Sequence, residues 1–283
     1  MRSLATTAML SSGYSIPLVG LGTYQMRGEE CREAVRAALD LGYLHVDTAY
    51  IYHNEDVIGS VLKTHNRSNL FITSKIPPTH QGFEKTLEAA SHSISQLGVD
   101  YLDLLLIHWP GCSGLTPSDP LNAQRRLETW RALEQLQSQG KVRSIGVSNF
   151  LVRHLEPLLK SCTVRPAVNQ FEYHPLCQNE ELVQFCKGNG ILVEAYSSLA
   201  RGDRGLFESA VVQGIAAKHG KAIGQVLLRW GLQQEIVVLP KSIHRQRIQS
   251  NSQLDFVLSD EDMAQLSALN AQKHTCWDPA SVF

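Results

Sequence analysis

Short apolar runs alternate with amphipathic stretches eight times along this chain, and few folds accept such a pattern. The first run, Leu18-Val-Gly-Leu-Gly-Thr-Tyr24, ends in glycines. It is followed by Glu29–Leu41, where Cys31, Ala34, Val35, Ala38 and Leu41 share one helical face and Gly42 stops it. Runs at 44–48, 70–76, 102–108, 142–147, 167–172, 191–197 and 236–239 follow. Each precedes a helical stretch, at 54–64, 82–97, 122–138, 151–160, 180–188, 207–219 and 245–250 respectively. Alternation of this density means a parallel sheet. Eight units in roughly 260 residues suit an α/β chain closed as a (β/α)8 barrel, for which about 250 residues is typical. An open doubly wound sheet is the competitor. It usually carries a Gly-x-Gly-x-x-Gly turn after its first strand, and here Gly20 and Gly22 are followed by Gln25. Thr6–Leu10 and Tyr14–Ile16 flank Ser11-Ser12-Gly13 as a hairpin ahead of the barrel. Ala222–Leu232 and Asp260–Leu269 read as two extra helices. With no linker, repeat or low-complexity stretch, residues 1–283 read as one domain.

Three successive strand-like runs end on a charged or titratable residue. The run at 44–48 turns polar at Asp47, Leu70-Phe-Ile-Thr-Ser-Lys75 ends on Lys75, and Leu102-Asp-Leu-Leu-Leu-Ile-His108 ends on His108. Tyr52 follows Asp47 by five residues, and Asn54 can cap the next helix, whose apolar face begins at Val57, Ile58 and Val61. In such barrels the active site lies at the C-terminal ends of the strands. Neighbouring strands are about 4.8 Å apart, so the four side chains can converge. A phenol titrates near pKa 10 and is a poor acid at neutral pH. A lysine beside it favours the phenolate, a carboxylate holds the lysine charged and aimed, and a histidine can orient a substrate oxygen. The set amounts to a general acid for an oxygen gaining negative charge. Taken singly, each residue has a plainer reading: Asp47 as a loop anchor, Lys75 snorkelling from a strand end, Tyr52 as rim packing, His108 as a structural histidine. Their joint placement is what favours chemistry.

Composition narrows the partners. With 43% apolar and 19% charged residues and a formal net charge of −1, the chain offers no electrostatic reason to bind nucleic acid or an acidic membrane. No apolar run reaches transmembrane length. Cys31, Cys112, Cys162, Cys177, Cys186 and Cys276 are scattered without a Cys-x-x-Cys, as expected of free thiols in a reducing, cytoplasmic setting.

Three segments carry a resemblance: Gly42–Gly59, Gly140-Lys-Val-Arg-Ser-Ile-Gly-Val-Ser-Asn-Phe150 and Leu239-Pro-Lys-Ser-Ile-His-Arg-Gln-Arg-Ile-Gln-Ser-Asn251. In this order they resemble the signature segments of the aldo-keto reductase family, and the likeness runs from about Ile16 to Asp278. The family reduces aldehydes and ketones with a nicotinamide cofactor, usually NADPH, on a (β/α)8 barrel. The resemblance implies that Tyr52 donates the proton, Lys75 and Asp47 tune it, and His108 orients the carbonyl. It implies that Tyr196 stacks on the nicotinamide, while Ser148, Asn149 and Gln170 hold its carboxamide. Ser197 and Leu199 fall where the pyrophosphate is strapped. Lys241, Ser242, Arg247 and Asn251 match the 2′-phosphate and adenine site, and a basic pair beside a helix N-terminus is an anion site in its own right. Gly22, Thr23, Tyr24 and Asp47 complete the cofactor set, with Tyr24, His108, Trp109 and Trp277 around the substrate. No metal is implied, and a monomer is the family's usual state.

Departures matter as well. Tyr24 stands where many members have tryptophan, and Ser250 replaces a glutamate often found near the adenine. The loop Ala200–Leu206 and the tail after Leu269 are short, as in diketogluconate reductases and prostaglandin F synthases. An open pocket is implied. Trp277 can wall it or equally pack the tail onto the barrel. Two other functions remain open to the sequence: a non-catalytic NADP(H)-binding partner protein of the same superfamily, and a Schiff-base aldolase using Lys75.

Overall fold

The computed structural model describes residues 4–283. A hairpin comes first, β1 (Thr7–Met9) against β2 (Ser15–Pro17), antiparallel and turning at Gly13 with a φ of 86°. Eight parallel strands follow, β3 (Leu21–Gly22), β4 (His45–Asp47), β5 (Phe71–Ile76), β6 (Leu102–Ile107), β7 (Val142–Ser148), β8 (Val168–Glu172), β9 (Leu192–Tyr196) and β10 (Val237–Val238). They pair in chain order from β3 to β10. A parallel bridge between Val19 and Val238 then joins the last strand to the run before β3. Gly20 N–H donates to Val238 O (3.0 Å), Val238 N–H to Leu18 O (2.9 Å) and Gly22 N–H to Pro240 O (3.1 Å), so the ring closes. The first strand is therefore shorter than Leu18–Tyr24 as a regular strand, though most of the run takes part in closure. Its glycines serve that closure, since a Cβ on Gly20 would lie 2.7 Å from the His45 ring and from the Leu239 side chain.

Strands β5 and β6 are buried at every position, which is why a parallel barrel strand reads as a continuous apolar run. Around them pack α1 (Gly28–Asp40), α2 (Glu55–Leu62), α3 (Phe83–Leu97), α4 (Leu121–Ser138), α5 (Val152–Ser161) and α6 (Glu180–Gly188). The helical stretch at 207–219 is broken. Asp203 caps a short α7 (Arg204–Phe207) by accepting from Leu206 N–H, and α8 (Ala210–His219) starts afresh. Next come α9 (Ile223–Gln233), α10 (Arg245–Ser252) and α11 (Asp260–Ser267). Both stretches predicted as extra helices, at 222–232 and 260–269, are helical, but the roles near β9 differ. The barrel-packing helix there is α9, buried from Gln225 to Leu232 and set against β10, whereas α8 sits on α9 and α11.

The hairpin lies at the N-terminal end of the barrel, where the Ser12 hydroxyl meets the Ser144 hydroxyl of β7 at 2.7 Å. Asn54 precedes α2 but makes no capping bond with its side chain. Buried, it instead accepts from the Thr48 hydroxyl (2.7 Å) and donates to Thr23 O (3.0 Å) and Met26 O (3.1 Å). Among the described residues no helix is long and apolar enough to cross a membrane.

Candidate active site

Where β4 and β5 run out, two buried charges meet. Lys75 Nζ lies 2.6 and 2.8 Å from the Asp47 carboxylate oxygens and 2.8 Å from Thr48 O. All three ammonium hydrogens have acceptors, which is what a lysine only 1% exposed needs. Burial opposes its charge, but Asp47 and then Tyr52 outweigh burial, and the Lys75 pKa is raised.

Tyr52 stands half-buried on the 3-10 turn Tyr50–Tyr52. Its ring centroid is 5.2 Å from Lys75 Nζ, and Tyr24 (5.1 Å) and His108 (5.7 Å) meet it edge-on. Here the electrostatics amend the prediction. Lys75 does pull the phenol pKa down, but burial pushes it up more strongly and Asp47 adds to the rise, so Tyr52 stands at about 12. Burial, and then Lys75, push His108 down to about 3, so its imidazole is neutral. His108 Nδ1 is buried without a hydrogen-bond partner.

The carboxamide-type residues cluster beside this pair. Asn149, in the left-handed region (φ 63°), donates to His108 O (2.9 Å) and to Ser148 Oγ (3.1 Å) and accepts from the Tyr196 hydroxyl (2.7 Å). That bond anchors one end of the Tyr196 ring at the close of β9. Gln170 Nε2 donates to Asp47 Oδ2 (2.8 Å) and to Glu194 Oε2 (2.7 Å), which leaves its carbonyl oxygen unspent. Thr23 sits under the wall of the site, bonded through its hydroxyl and its N–H to Asp47 O.

A second group lies on the rim. Ser197, Ala200 and Arg201 all have positive φ (50°, 47° and 53°), so the segment after β9 stores backbone strain, of a kind typical of ligand-holding loops. A Cβ on Gly224 would touch Asn251 and Leu199, placing both against the start of α9. One on Gly22 would lie 3.7 Å from Lys241 Cβ. Ser242 is buried and accepts from His244 N–H just before α10. Lys241 and Arg247 are exposed and have no acidic partner among the described residues, whereas nearby Arg245 reaches Asp40 at 3.5 Å. Two unpaired cations beside a helix N-terminus suit a phosphate.

The tail is clamped to the end of β8. Glu172 accepts from Thr275 N–H (2.8 Å), the Thr275 hydroxyl and Cys276 N–H (3.3 Å), and its oxygens face His174 and His274, each at 3.0 Å. Burial resists its charge, but the hydrogen bonds from His174 and Thr275 win and hold it at about 2. Cys177 and His274 bring ligand-type atoms within 4.8 Å of Glu172, but that carboxylate is already occupied in anchoring the tail. Cys276 Sγ touches Ser197 Oγ at 3.2 Å. Trp277 is 81% exposed, with its ring edge-on to Trp109 at 6.5 Å. It therefore stands in solvent beside Trp109 rather than packing into the core.

Residues 18–271 match the aldo/keto reductase family. The chain belongs to that family. It is 45% identical over 281 residues to a glyoxal reductase of Bacillus subtilis, covering 98% of this chain and 97% of that protein. It is 42% identical over 279 residues to a 9,11-endoperoxide prostaglandin H2 reductase of Trypanosoma cruzi, covering 97% and 95%. Among solved structures, the aldo-keto reductase MGS-M4 from a Medee basin deep-sea metagenome library superposes with a TM-score of 0.91 at 41% identity, over 98% of this chain and 100% of that one. This aldo/keto reductase is thus an oxidoreductase, and its closed ring of eight strands is the family's barrel.

Several residues of the site are not evident from the sequence alone. Glu194 and His45 are wholly buried below Asp47, Glu172 clamps the tail, and Thr48 contributes through its backbone carbonyl. A parity signal exists for two of them, because side chains two apart on a strand share a face. Glu194 is thus on the side of Tyr196, and His45 on the side of Asp47.

Proposed function

We propose that this protein reduces aldehydes and ketones to alcohols with NADPH, Tyr52 giving the proton. The observation that carries the reading is the buried Asp47–Lys75 pair set 5.2 Å from the Tyr52 ring. Bound along the rim, the reduced cofactor would supply a hydride to the carbonyl carbon. The chain's own residues do the rest. Neutral His108 and Tyr52 bracket the carbonyl oxygen as hydrogen-bond partners. As that oxygen gains charge, Tyr52 releases its proton to it. The nearby ammonium stabilises the phenolate left behind, and stabilisation of charge in a dry site is worth far more than in water. Gln170, with both amide hydrogens spent, offers an acceptor oxygen to a carboxamide, and Asn149 and Ser148 stand beside it. Tyr196 offers a ring face fixed through Asn149. Ser197 and Leu199 would strap a diphosphate, while Lys241, Ser242, Arg247 and Asn251 would hold the 2′-phosphate and adenine. These residues fit NADPH, and the unpaired cations favour it over NADH.

Tyr24, Trp109 and Trp277 form aromatic walls around an open mouth. By likeness to the Bacillus subtilis protein, small dicarbonyls such as glyoxal head the substrate panel. A reducing, cytoplasmic setting fits the free cysteines, and a monomer is the state the family likeness implies. A Schiff-base role for Lys75 is disfavoured, since its raised pKa keeps the amine protonated and unable to attack. A purely cofactor-binding role is disfavoured by the intact acid. Following NADPH oxidation over a panel of short aldehydes, dicarbonyls, aldoses and quinones decides. Turnover in the wild type but not in Tyr52→Phe is expected; no turnover on any carbonyl would remove the reading.

A further inference from the structure

Below the Asp47–Lys75 pair lies an acid that the mechanism does not yet use. Glu194 projects from the middle of β9 into the barrel and is 0% exposed. Its Oε2 accepts 2.7 Å from Gln170 Nε2, the same nitrogen that donates to Asp47 Oδ2 at 2.8 Å. Its Oε1 has no hydrogen-bond partner and lies 3.7 Å from His45 Nε2. The groups facing it are few. Asp47 and His45 come from β4, Lys75 from β5 and uncharged Gln170 from β8, while the neighbouring Val237 and Val238 of β10 bring no charge.

Charge balance inside the barrel singles this residue out. Asp47 and Lys75 cancel. His45 is neutral, driven down to about 3 chiefly by burial. An ionised Glu194 would leave one uncompensated negative charge in a dry core, which is costly. We propose that Glu194 is a positioning residue of the site: it holds the Gln170 amide against Asp47 and, by keeping or losing a proton, sets the charge beneath Lys75. The idea rests on the carbonyl-reductase reading and deepens it.

Burial, and then Asp47, hold the Glu194 carboxyl up at about 8, against the pull of Gln170 and Lys75. Its proton therefore leaves within an accessible pH range. The new carboxylate adds negative potential beneath the pair that supports Tyr52, and a phenol in a more negative field is a weaker acid. Reduction should slow as Glu194 ionises. Gln170 supplies the second consequence. While Oε2 of Glu194 and Asp47 both accept from its nitrogen, its oxygen is left free for the cofactor's carboxamide.

Two substitutions separate these roles. Glu194→Gln keeps an acceptor oxygen for Gln170 and cannot ionise; Glu194→Leu cannot ionise either and has no acceptor. The first readout needs no turnover. A carboxyl raised in the folded state above its unfolded value stabilises the fold fully below about pH 4.5, and that stabilisation is lost as pH rises to about 8. The Tm of Glu194→Gln should therefore gain on wild type from pH 5 to 8, with no further change above. The second readout is NADPH-dependent kcat/KM. Wild type should fall by roughly tenfold above pH 8, the scale of one added charge at an effective dielectric of about 20. Glu194→Gln should stay level, and Glu194→Leu should bind NADPH several-fold more weakly than Glu194→Gln. If Glu194→Gln tracks wild type at every pH in both Tm and kcat/KM, the proposal is overturned. Should no variant oxidise NADPH with any carbonyl, the carbonyl-reductase reading falls instead. The Tm curves and the NADPH dissociation constants would still decide for or against Glu194.

Discussion

The strand ends at β4 to β6 and the rim at β9 to α10 are built on opposite principles. At the strand ends every charge is buried and matched, as in the three-acceptor cage of Lys75. At the rim Lys241 and Arg247 stand in water with no acid beside them among the described residues. The first arrangement commits its electrostatics in advance, so under the proposed function it would act on a neutral oxygen without reorganising. The second leaves its charge uncommitted, free for the anion proposed to bind there. Lesions should thus be large and salt-insensitive at the strand ends, and small and salt-sensitive at the rim.

The largest effect belongs to Tyr52→Phe, which deletes the only proposed acid and keeps the ring. Carbonyl reduction should drop by roughly 10²–10⁴-fold with the NADPH dissociation constant almost unchanged. A loss of cofactor binding as large as the loss of rate would place Tyr52 on the rim side of the division. Lys75→Met comes next. It should abolish most activity and, by leaving Asp47 buried and unpaired, destabilise the fold by about 3–5 kcal/mol. Urea unfolding at neutral pH measures that; an unchanged midpoint would show that the pair is not the matched unit described.

At the rim, Arg247→Ala should weaken NADPH by roughly tenfold, the low end for hydrogen bonds to a charged group, and leave NADH nearly untouched. Equal weakening of both would take Arg247 out of the phosphate site. Raising ionic strength should reduce NADPH affinity a few-fold because exposed charges are screened, without changing the single-turnover rate at saturating cofactor. A salt-sensitive rate would breach the contrast between the two regions. The smallest effect concerns His108, whose imidazole is held neutral at about 3. Between pH 7 and 5 the profile of kcat should show no limb from it, and an inflection near 6.5 that vanishes in His108→Gln would contradict its neutrality.

Much of this is legible in the sequence. The barrel follows from eight alternations, and the meeting of Asp47, Lys75 and His108 follows from polar residues closing three apolar runs, with Tyr52 five residues past Asp47. What stayed hidden was set by tertiary context. Tyr52 lies beside its lysine as predicted, yet its phenol rises, because the desolvation imposed by neighbouring rings has no local sequence mark. Asn54 has the spacing of a cap but is diverted to the carbonyls of Thr23 and Met26 and to the Thr48 hydroxyl. The 207–219 helix breaks because Asp203 starts a separate turn. Glu194 interrupts an otherwise apolar run, Ile191-Leu-Val-Glu-Ala-Tyr196, and an isolated acid there was a usable sign. Only the closed ring, though, brings it beneath Asp47.

Glu172 has a further consequence, for the order in which the molecule comes apart. Its bonds to Thr275 span 103 residues. Within that span lie Tyr196, Ser197, Leu199, Lys241, Arg247 and Asn251, nearly the whole of the proposed cofactor rim. A non-covalent tether of this reach makes the last third of the chain a single opening unit, much as contiguous segments exchange amide hydrogens together in other folded proteins. Amides along β9 and α10 should accordingly gain or lose protection in step with those at 274–276. The amides of β5 and β6, outside the tether, should exchange only when the whole barrel does.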